Sequence, residues 1–239
     1  MISVVVPTYN EEQNIERCLA SLADQTVPRD TYEIIVVDGD SKDRTRELAE
    51  PPLADQVFIQ TSKRVGGARN DGAMAAKGDI VATTDADCIL PPRDWVERIG
   101  RNFAERDIVQ LYGTVYPIED SFRNRLSLLG ANTFSRLGYH TRTIYFTLGC
   151  NTAFDREVFV RAGGMYRCID AGGDDLEIAQ RMRKLGKVYL DPPPEGRVLD
   201  AALPAVRDAQ VALGMVLHRS SRRRGRRRHL LATGVQVAL

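Results

Sequence analysis

Four short runs rich in β-branched residues recur within the first 85 residues, separated by segments of helical spacing, and this alternation restricts the fold more than any other feature. "ISVVVP" (2–7) ends in proline, and "EEQNIERCLASLADQ" (11–25) then sets Ile15, Leu19 and Leu22 on one helical face, with two glutamates in the first turn where the helix dipole favours them. "YEIIVVD" (32–38) is a second strand and "SKDRTRELAE" (41–50) a polar helix opened by Ser41 or Asp40. "QVFIQ" (56–60) is a third strand, "GGARNDGAMAAKG" (66–78) a helix entered through two glycines, and "DIVATTD" (79–85) a fourth strand. Apolar runs this short, joined by helices, predict a mostly parallel sheet covered on both faces.

The rhythm loosens after residue 92. Helices are expected over 94–106, over 121–139 with an interruption at Gly130, after 155, and over 174–186; strands are expected over 107–117, 143–155 and at "KVYL". Proline-rich "DPPPEG" resembles a linker, so residues 1–195 read as one domain, with halves 1–92 and 93–195, and 196–239 as a C-terminal extension. A chain of 239 residues that is 43% hydrophobic is long enough for one large α/β domain with a sizeable core.

Charge excludes a general attraction to polyanions, since 33 Lys and Arg stand against 32 Asp and Glu, and no nucleic-acid partner is expected. The exception is local: "RSSRRRGRRR" (219–228) holds seven arginines and no acid. The four cysteines are widely spaced without a CxxC pair, which points to reduced thiols in a cytoplasmic setting. No secretory leader is legible, and no window reaches the ~20 apolar residues of a membrane span.

Three strand ends carry the chemistry, as expected for a sheet whose crevice lies beyond its carboxyl edge: "PTYNEE", "DGDS" and "DADC". Asp85 and Asp87, two residues apart on extended backbone, point the same way and repel unless a cation lies between them. Hard oxygen donors with room for water and phosphate suit Mg²⁺ or Mn²⁺. The plainer alternative is a solvated loop whose aspartates cap the next helix. Asp38 closes a buried run, where it is placed to accept from a base edge. Arg69 lies near a glycine-entered helix start that suits a nucleotide, or is simply a surface arginine. "GGDDLE" places acids at a helix N-terminus, which the dipole alone would favour.

Together these segments resemble the family 2 glycosyltransferases, inverting enzymes of the GT-A fold that use nucleotide-activated sugars. "VVVPTYNEEQNIERCLASL", "IIVVDGDSKDRT", "GGARNDGAMAAKGDIVATTDADC" and "GGDDLEIAQRMRKLG" match in order across residues 2 to about 191. One departure is Gly39, which stands between Asp38 and Asp40 where the family usually has adjacent aspartates. The resemblance implies that Pro7, Tyr9 and Glu11 hold the nucleotide of a UDP- or GDP-sugar, with Asp38 at the base and Arg69 nearby. It implies Asp85 at the ribose or a metal-bound water, Asp87 on the metal, Asp174 at the first acid of an acceptor-side pair, and Asp175 as catalytic base. It further implies that Arg222 and Arg223 neutralise the leaving diphosphate and offers His218 as a second metal ligand, against a structural or exposed role. The acceptor is expected to be a hydroxyl, with lipid-linked acceptors included. The arginine run suits peripheral contact with anionic lipid on the inner face of the cell membrane, each basic residue contributing ~1 kcal/mol. The only tryptophan, Trp95, lies outside any Gln-x-x-Arg-Trp signature, so a single sugar per acceptor is expected. Two rivals are disfavoured: a sugar-nucleotide pyrophosphorylase or dinucleotide-dependent oxidoreductase, because "PTYNEE" lacks a glycine loop directly after the first strand, and a non-enzymatic nucleic-acid-binding module, because the arginine run is one terminal patch on a neutral domain.

Overall fold

The computed structural model describes residues 1–90, 93–117, 122–142, 147–165, 174–191 and 235–238. The chain runs β1 (Ile2–Thr8), α1 (Ile15–Ala23), β2 (Tyr32–Asp38), α2 (Thr45–Ala49), β3 (Gln56–Ile59), α3 (Arg64–Ala75), β4 (Ile80–Thr83) and β5 (Cys88–Ile89). It continues through α4 (Trp95–Glu105), β6 (Gln110–Tyr112), β7 (Thr114–Pro117), α5 (Phe122–Thr141), β8 (Thr152–Asp155), α6 (Arg156–Arg161), α7 (Asp174–Met182), β9 (Val188–Leu190) and β10 (Val235–Ala238). Seven strands form the main sheet in the order β3-β2-β1-β4-β8-β6-β9. Every neighbouring pair is parallel except those made by β8, which runs against both β4 and β6. The expected mostly parallel sheet is therefore present, and both halves of the 1–195 segment contribute strands to it.

Period-two alternation divides the core into two layers. Val4, Val6, Ile34 and Val36 face one way and pack with Leu19 and Leu22 of α1 and Trp95 and Ile99 of α4. Val5, Ile35 and Val37 face the other way and pack with Ala68 of α3, Phe159 of α6 and Ile178 and Met182 of α7. Each such valine, leucine or isoleucine, fully buried, contributes about 2 kcal/mol of transfer free energy. α3 lies especially close to the sheet: a Cβ on Gly72 would come within 2.3 Å of Val5 Cγ1 and 3.1 Å of Val37 Cγ2. That contact fixes the seat of Arg69, one turn earlier on the helix.

Several boundaries differ from the sequence reading. α2 starts at Thr45 because Ser41 is engaged elsewhere, while Asp43 Oδ1 accepts from the Thr45 N–H and hydroxyl. α3 starts at Arg64, whose φ of 70° turns the chain, so Gly66 and Gly67 lie inside the helix. α5 passes through Gly130 without a break. The strand expected over 107–117 divides at Gly113; of 143–155, residues 143–146 lie outside the described residues, and among 147–155 the strand is Thr152–Asp155, after a 3-10 turn at Gly149–Asn151. Part of the apolar C-terminal tail, Val235–Ala238, is a strand lying between β5 and β7 in a second, three-stranded sheet. Among the described residues no helix is long and apolar enough to cross a membrane.

Candidate functional site

The carboxyl ends of β1, β2 and β4 open onto a crevice of about 470 Å³. Pro7, Tyr9 and Glu11 line it from the end of β1, Gly39 and Gln60 from the ends of β2 and β3, and Asp85 and Asp87 from the turn after β4. The loops after β1 and β2 are stitched together: the Asn10 N–H donates to Ser41 Oγ (2.8 Å), the Lys42 N–H to Asn10 Oδ1 (2.8 Å) and the Glu11 N–H to Thr45 Oγ1 (2.7 Å). Asn10 takes φ 55°, a left-handed conformation that asparagine tolerates better than most residues. Tyr9 is 58% exposed, and Gly39 gives it room: a Cβ there would stand 3.1 Å from Tyr9 Cδ2.

Asp38 lies beneath this stitch rather than in the crevice. It is fully buried, and its carboxylate accepts from the Ser41 N–H at 2.8 Å and from the Ser41 hydroxyl, with Arg46 Nε at 3.5 Å. Asp40, with φ 66°, pairs with Lys42 at the surface, and that pairing holds its carboxyl below the usual carboxylate range. Neither Asp40 nor Ser41 caps α2, contrary to the sequence reading.

The end of β4 is different. Arg69, 3% exposed in the middle of α3, reaches across to Asp85 (Nη2–Oδ1, 2.6 Å), Asp175 (Nη1–Oδ1, 3.2 Å) and Asp174 (Nη1–Oδ2, 3.8 Å). It is not the surface arginine of the plainer sequence alternative. Burial opposes its charge, but the three carboxylates outweigh that and raise its pKa. One guanidinium thus ties the acid after β4 to the acids at the start of α7. Asp175 Oδ2 accepts from the Gly149 N–H (3.0 Å), and its carbonyl accepts from the Thr147 hydroxyl (2.8 Å). Burial pushes the Asp175 carboxyl up to about 6; Arg69 and the Gly149 N–H pull down while Asp174 and Asp85 push up. Asp174 is buried, and its Oδ2 has no hydrogen-bond partner among the described residues.

Asp87 is also pushed up to about 6, first by burial and then by the charges of Asp85 and Glu11. Its one polar side-chain contact among the described residues is the Cys88 thiol, 3.8 Å from Oδ1, and no cation pairs with it. A carboxylate forced to coexist with two others, and given no counter-ion by the described residues, fits a divalent cation. Among the described residues no group of three or more His, Cys, Asp or Glu is placed to hold a metal by itself. Such an ion would take one or two protein carboxylates here and complete its shell with water and phosphate. His218, Arg222 and Arg223 lie outside the described residues.

Two glycines make the cluster sterically feasible: Gly66, read from the sequence only as part of a helix entry, and Gly149, which sequence reasoning passed over. A Cβ on Gly66 would stand 2.3 Å from Asp174 Oδ2; one on Gly149 would stand 2.4 Å from Arg69 Cζ and 2.5 Å from Asp175 Oδ1. Gly149 is further fixed by the Thr83 hydroxyl, which donates to its carbonyl. "LGCN" carries no periodic signal, so Gly149 is visible only once β4 and α7 are placed around it.

The family model described as Glycosyl transferase family 2 matches residues 3–163. Glycosyltransferase AglE of Haloferax volcanii is 39% identical over 102 residues, which are 41% of this chain and 33% of that protein. The glucosyl-dolichyl phosphate glucuronosyltransferase of the same organism is 30% identical over 178 residues, 68% of this chain and 55% of that one. The mannosyltransferase PcManGT from Pyrobaculum calidifontis, solved in complex with GDP-Man and Mn²⁺, superposes with a TM-score of 0.60 at 30% identity, covering 81% of this chain and 55% of that one. The chain thus spans between a third and just over half the length of these relatives.

Proposed function

The chain belongs to glycosyl transferase family 2, and on that premise we propose that it transfers one sugar, with inversion, from a UDP- or GDP-sugar to a hydroxyl acceptor. The observation that carries this reading is the Arg69 bridge, which holds Asp85 at the crevice and Asp175 behind it in one connected set of charges. Residues 1–92 serve as the donor half and 93–195 as the acceptor half. In the donor half, Tyr9 and Gly39 form the wall of the nucleotide slot with Pro7 and Glu11 beside it. Asp38 shapes the base end through Ser41, and Gln60 lines the same end.

Asp87 holds a divalent cation, Mg²⁺ or Mn²⁺, with Asp85 at the ribose or at a water of that ion. When bound, such an ion offsets the charge that develops on the departing diphosphate. Asp175 is the base. Both its oxygens are already oriented, by Arg69 and by the Gly149 N–H, and each keeps a lone pair for the acceptor hydroxyl. A carboxylate with its pKa near 6 is a better proton acceptor than an ordinary one and is still mostly ionised at neutral pH. Asp174 faces the acceptor side. Arg222 and Arg223 neutralise the leaving group, His218 adds a ligand to the cation, and the arginine run rests on anionic lipid at the inner face of the membrane. A lipid-linked acceptor is supported by the similarity to a dolichyl phosphate glucuronosyltransferase.

The test is a melting-temperature screen of UDP- and GDP-sugars with and without Mn²⁺, followed by assay of donor hydrolysis, because a ligand stabilises only the fold that binds it. One donor should raise the melting temperature in a Mn²⁺-dependent manner, and Asp87→Asn should remove that dependence. Indifference to every donor, with and without metal, overturns the proposal.

A further inference from the structure

We infer that Arg181 is a positioning residue for Asp175: from two turns away it fixes the tilt of α7, and with it the seat of Asp175 against Arg69. Asp174, Glu177 and Arg181 share one face of α7, since residues seven apart lie two turns, about 10 Å, along the same stripe. Arg69 holds the N-terminal end of that stripe through Asp174 and Asp175. Arg181 holds the other end. Its guanidinium donates to the Ala162 and Gly164 carbonyls and pairs with Glu177 Oε2 at 2.6 Å.

The turn that offers these carbonyls is itself fixed. Gly163 and Gly164 take φ of 89° and 67°, and the Gly164 N–H donates at 3.0 Å to the carbonyl of Phe159, which is fully buried. Gly164 also lies against α3: a Cβ there would stand 2.2 Å from Oδ1 of Asn70, a residue 4% exposed. These contacts close a ring that runs from Arg69 to Asp175, along α7 to Arg181, across to Gly164 and back to Asn70, the residue after Arg69. Burial of Ile178 and Met182 sets the depth of α7 but is not directional, whereas the planar fork of Arg181 is. Asp85, Asp174 and Asp175 share one guanidinium, so their mutual repulsion presses the start of α7 away from β4. A helix pinned at both ends of one stripe resists that pressure. Released at one end, a tilt of about 6° over about 10 Å moves Asp175 by about 1 Å, which costs about 10²-fold in rate.

The effect on rate rests on the function proposed above, with Asp175 as base, whereas the effect on the Asp175 carboxyl does not, so the two are read separately. Arg181→Ala and Arg181→Lys are made in the full chain and assayed for kcat and donor KM, and the Asp175 carboxyl is titrated by carbon NMR, with Asp175→Asn to assign its signal. Arg181→Ala should lower kcat by about 10²-fold, with donor KM within about twofold of the unsubstituted chain. Arg181→Lys should fall between, because one ammonium cannot fork to two carbonyls. Arg69, Asp85, Asp174 and the Gly149 N–H face the Asp175 carboxyl, and only Arg69 and the N–H favour its ionised form. As α7 tilts away from both, the titration midpoint of Asp175 should move upward. A lower melting temperature with kcat and midpoint unchanged would make Arg181 merely structural and overturns the inference, as does a rise in donor KM at constant kcat. Should Arg181→Ala not fold, Arg181→Lys and Glu177→Gln are read by the same measures. If the chain transfers no sugar at all, the function proposed above fails, and the Asp175 midpoint alone decides the role of Arg181.

Discussion

The ends of β2 and β4 look alike in sequence, "DGDSKD" and "TDADC", but the structure treats their acids in opposite ways. At β2 every carboxylate has a local partner: Asp38 takes both donors of Ser41, Asp40 takes Lys42, and Asp43 takes Thr45. At β4 the carboxylates are crowded. Asp85 must look to another helix for Arg69, and Asp87 sits near Asp85 and Glu11 with its proton affinity raised. A serine or threonine two or three residues beyond an aspartate lets a neighbouring hydroxyl and N–H absorb the charge. Beyond Asp85 and Asp87 those places hold no hydroxyl. The same residue type is locally satisfied at one strand end and left crowded at the other, and the next two or three side chains decide which.

That contrast can be broken by substitution. Asp175→Asn should lower transfer by about 10³- to 10⁴-fold in a steady-state assay while leaving the donor-induced melting shift in place. Loss of donor binding in that variant would move Asp175 to the donor side. Gly149→Ala should cost about 10²-fold, because a methyl at that position displaces both Arg69 and Asp175; an active alanine variant would show the cluster to be less tightly set than its geometry indicates.

Acidity sharpens the comparison. Asp87 and Asp175 hold their protons more tightly in the folded chain than at the ordinary value of 3.8. Their contribution to stability is therefore complete below that value and is lost as pH rises through about 6. With Asp175 as the proposed base, which must be ionised to accept a proton, the transfer rate should rise with pH through about 6, by about tenfold per unit below it. Metal-free melting and transfer rate should thus run in opposite directions over one window, and parallel trends would contradict the assignment. Asp38→Asn should show the smallest effect on rate, within a few-fold, yet destabilise the fold by about 1–3 kcal/mol through its buried contacts with Ser41, as measured by denaturant unfolding.

Much of this was legible in the chain because hydrophobic period and strand-end chemistry are local properties. The four N-terminal strands follow from their β-branched runs, and the acids at 85, 87, 174 and 175 follow from their positions after a strand and before a helix. What the chain did not disclose depends on distant neighbours. Arg69 is the counter-charge of a buried cluster only because α3, β4 and α7 converge, and Gly149 is required only because that cluster leaves no room for a methyl. The burial of Asp38 was missed because its partner at the carboxylate, Ser41, was assigned to a helix cap instead. The antiparallel sense of β8 has no signature in four residues.

The close approach of α3 to the sheet at Gly72 makes the Arg69 charge cluster sensitive to a site with no chemistry of its own. Thickening that layer by one carbon would lift the whole helix and carry the guanidinium away from three carboxylates at once. Loss of sugar transfer from a change at Gly72 would then be a failure of spacing, repairable by trimming Val5 or Val37 rather than by restoring any charged group.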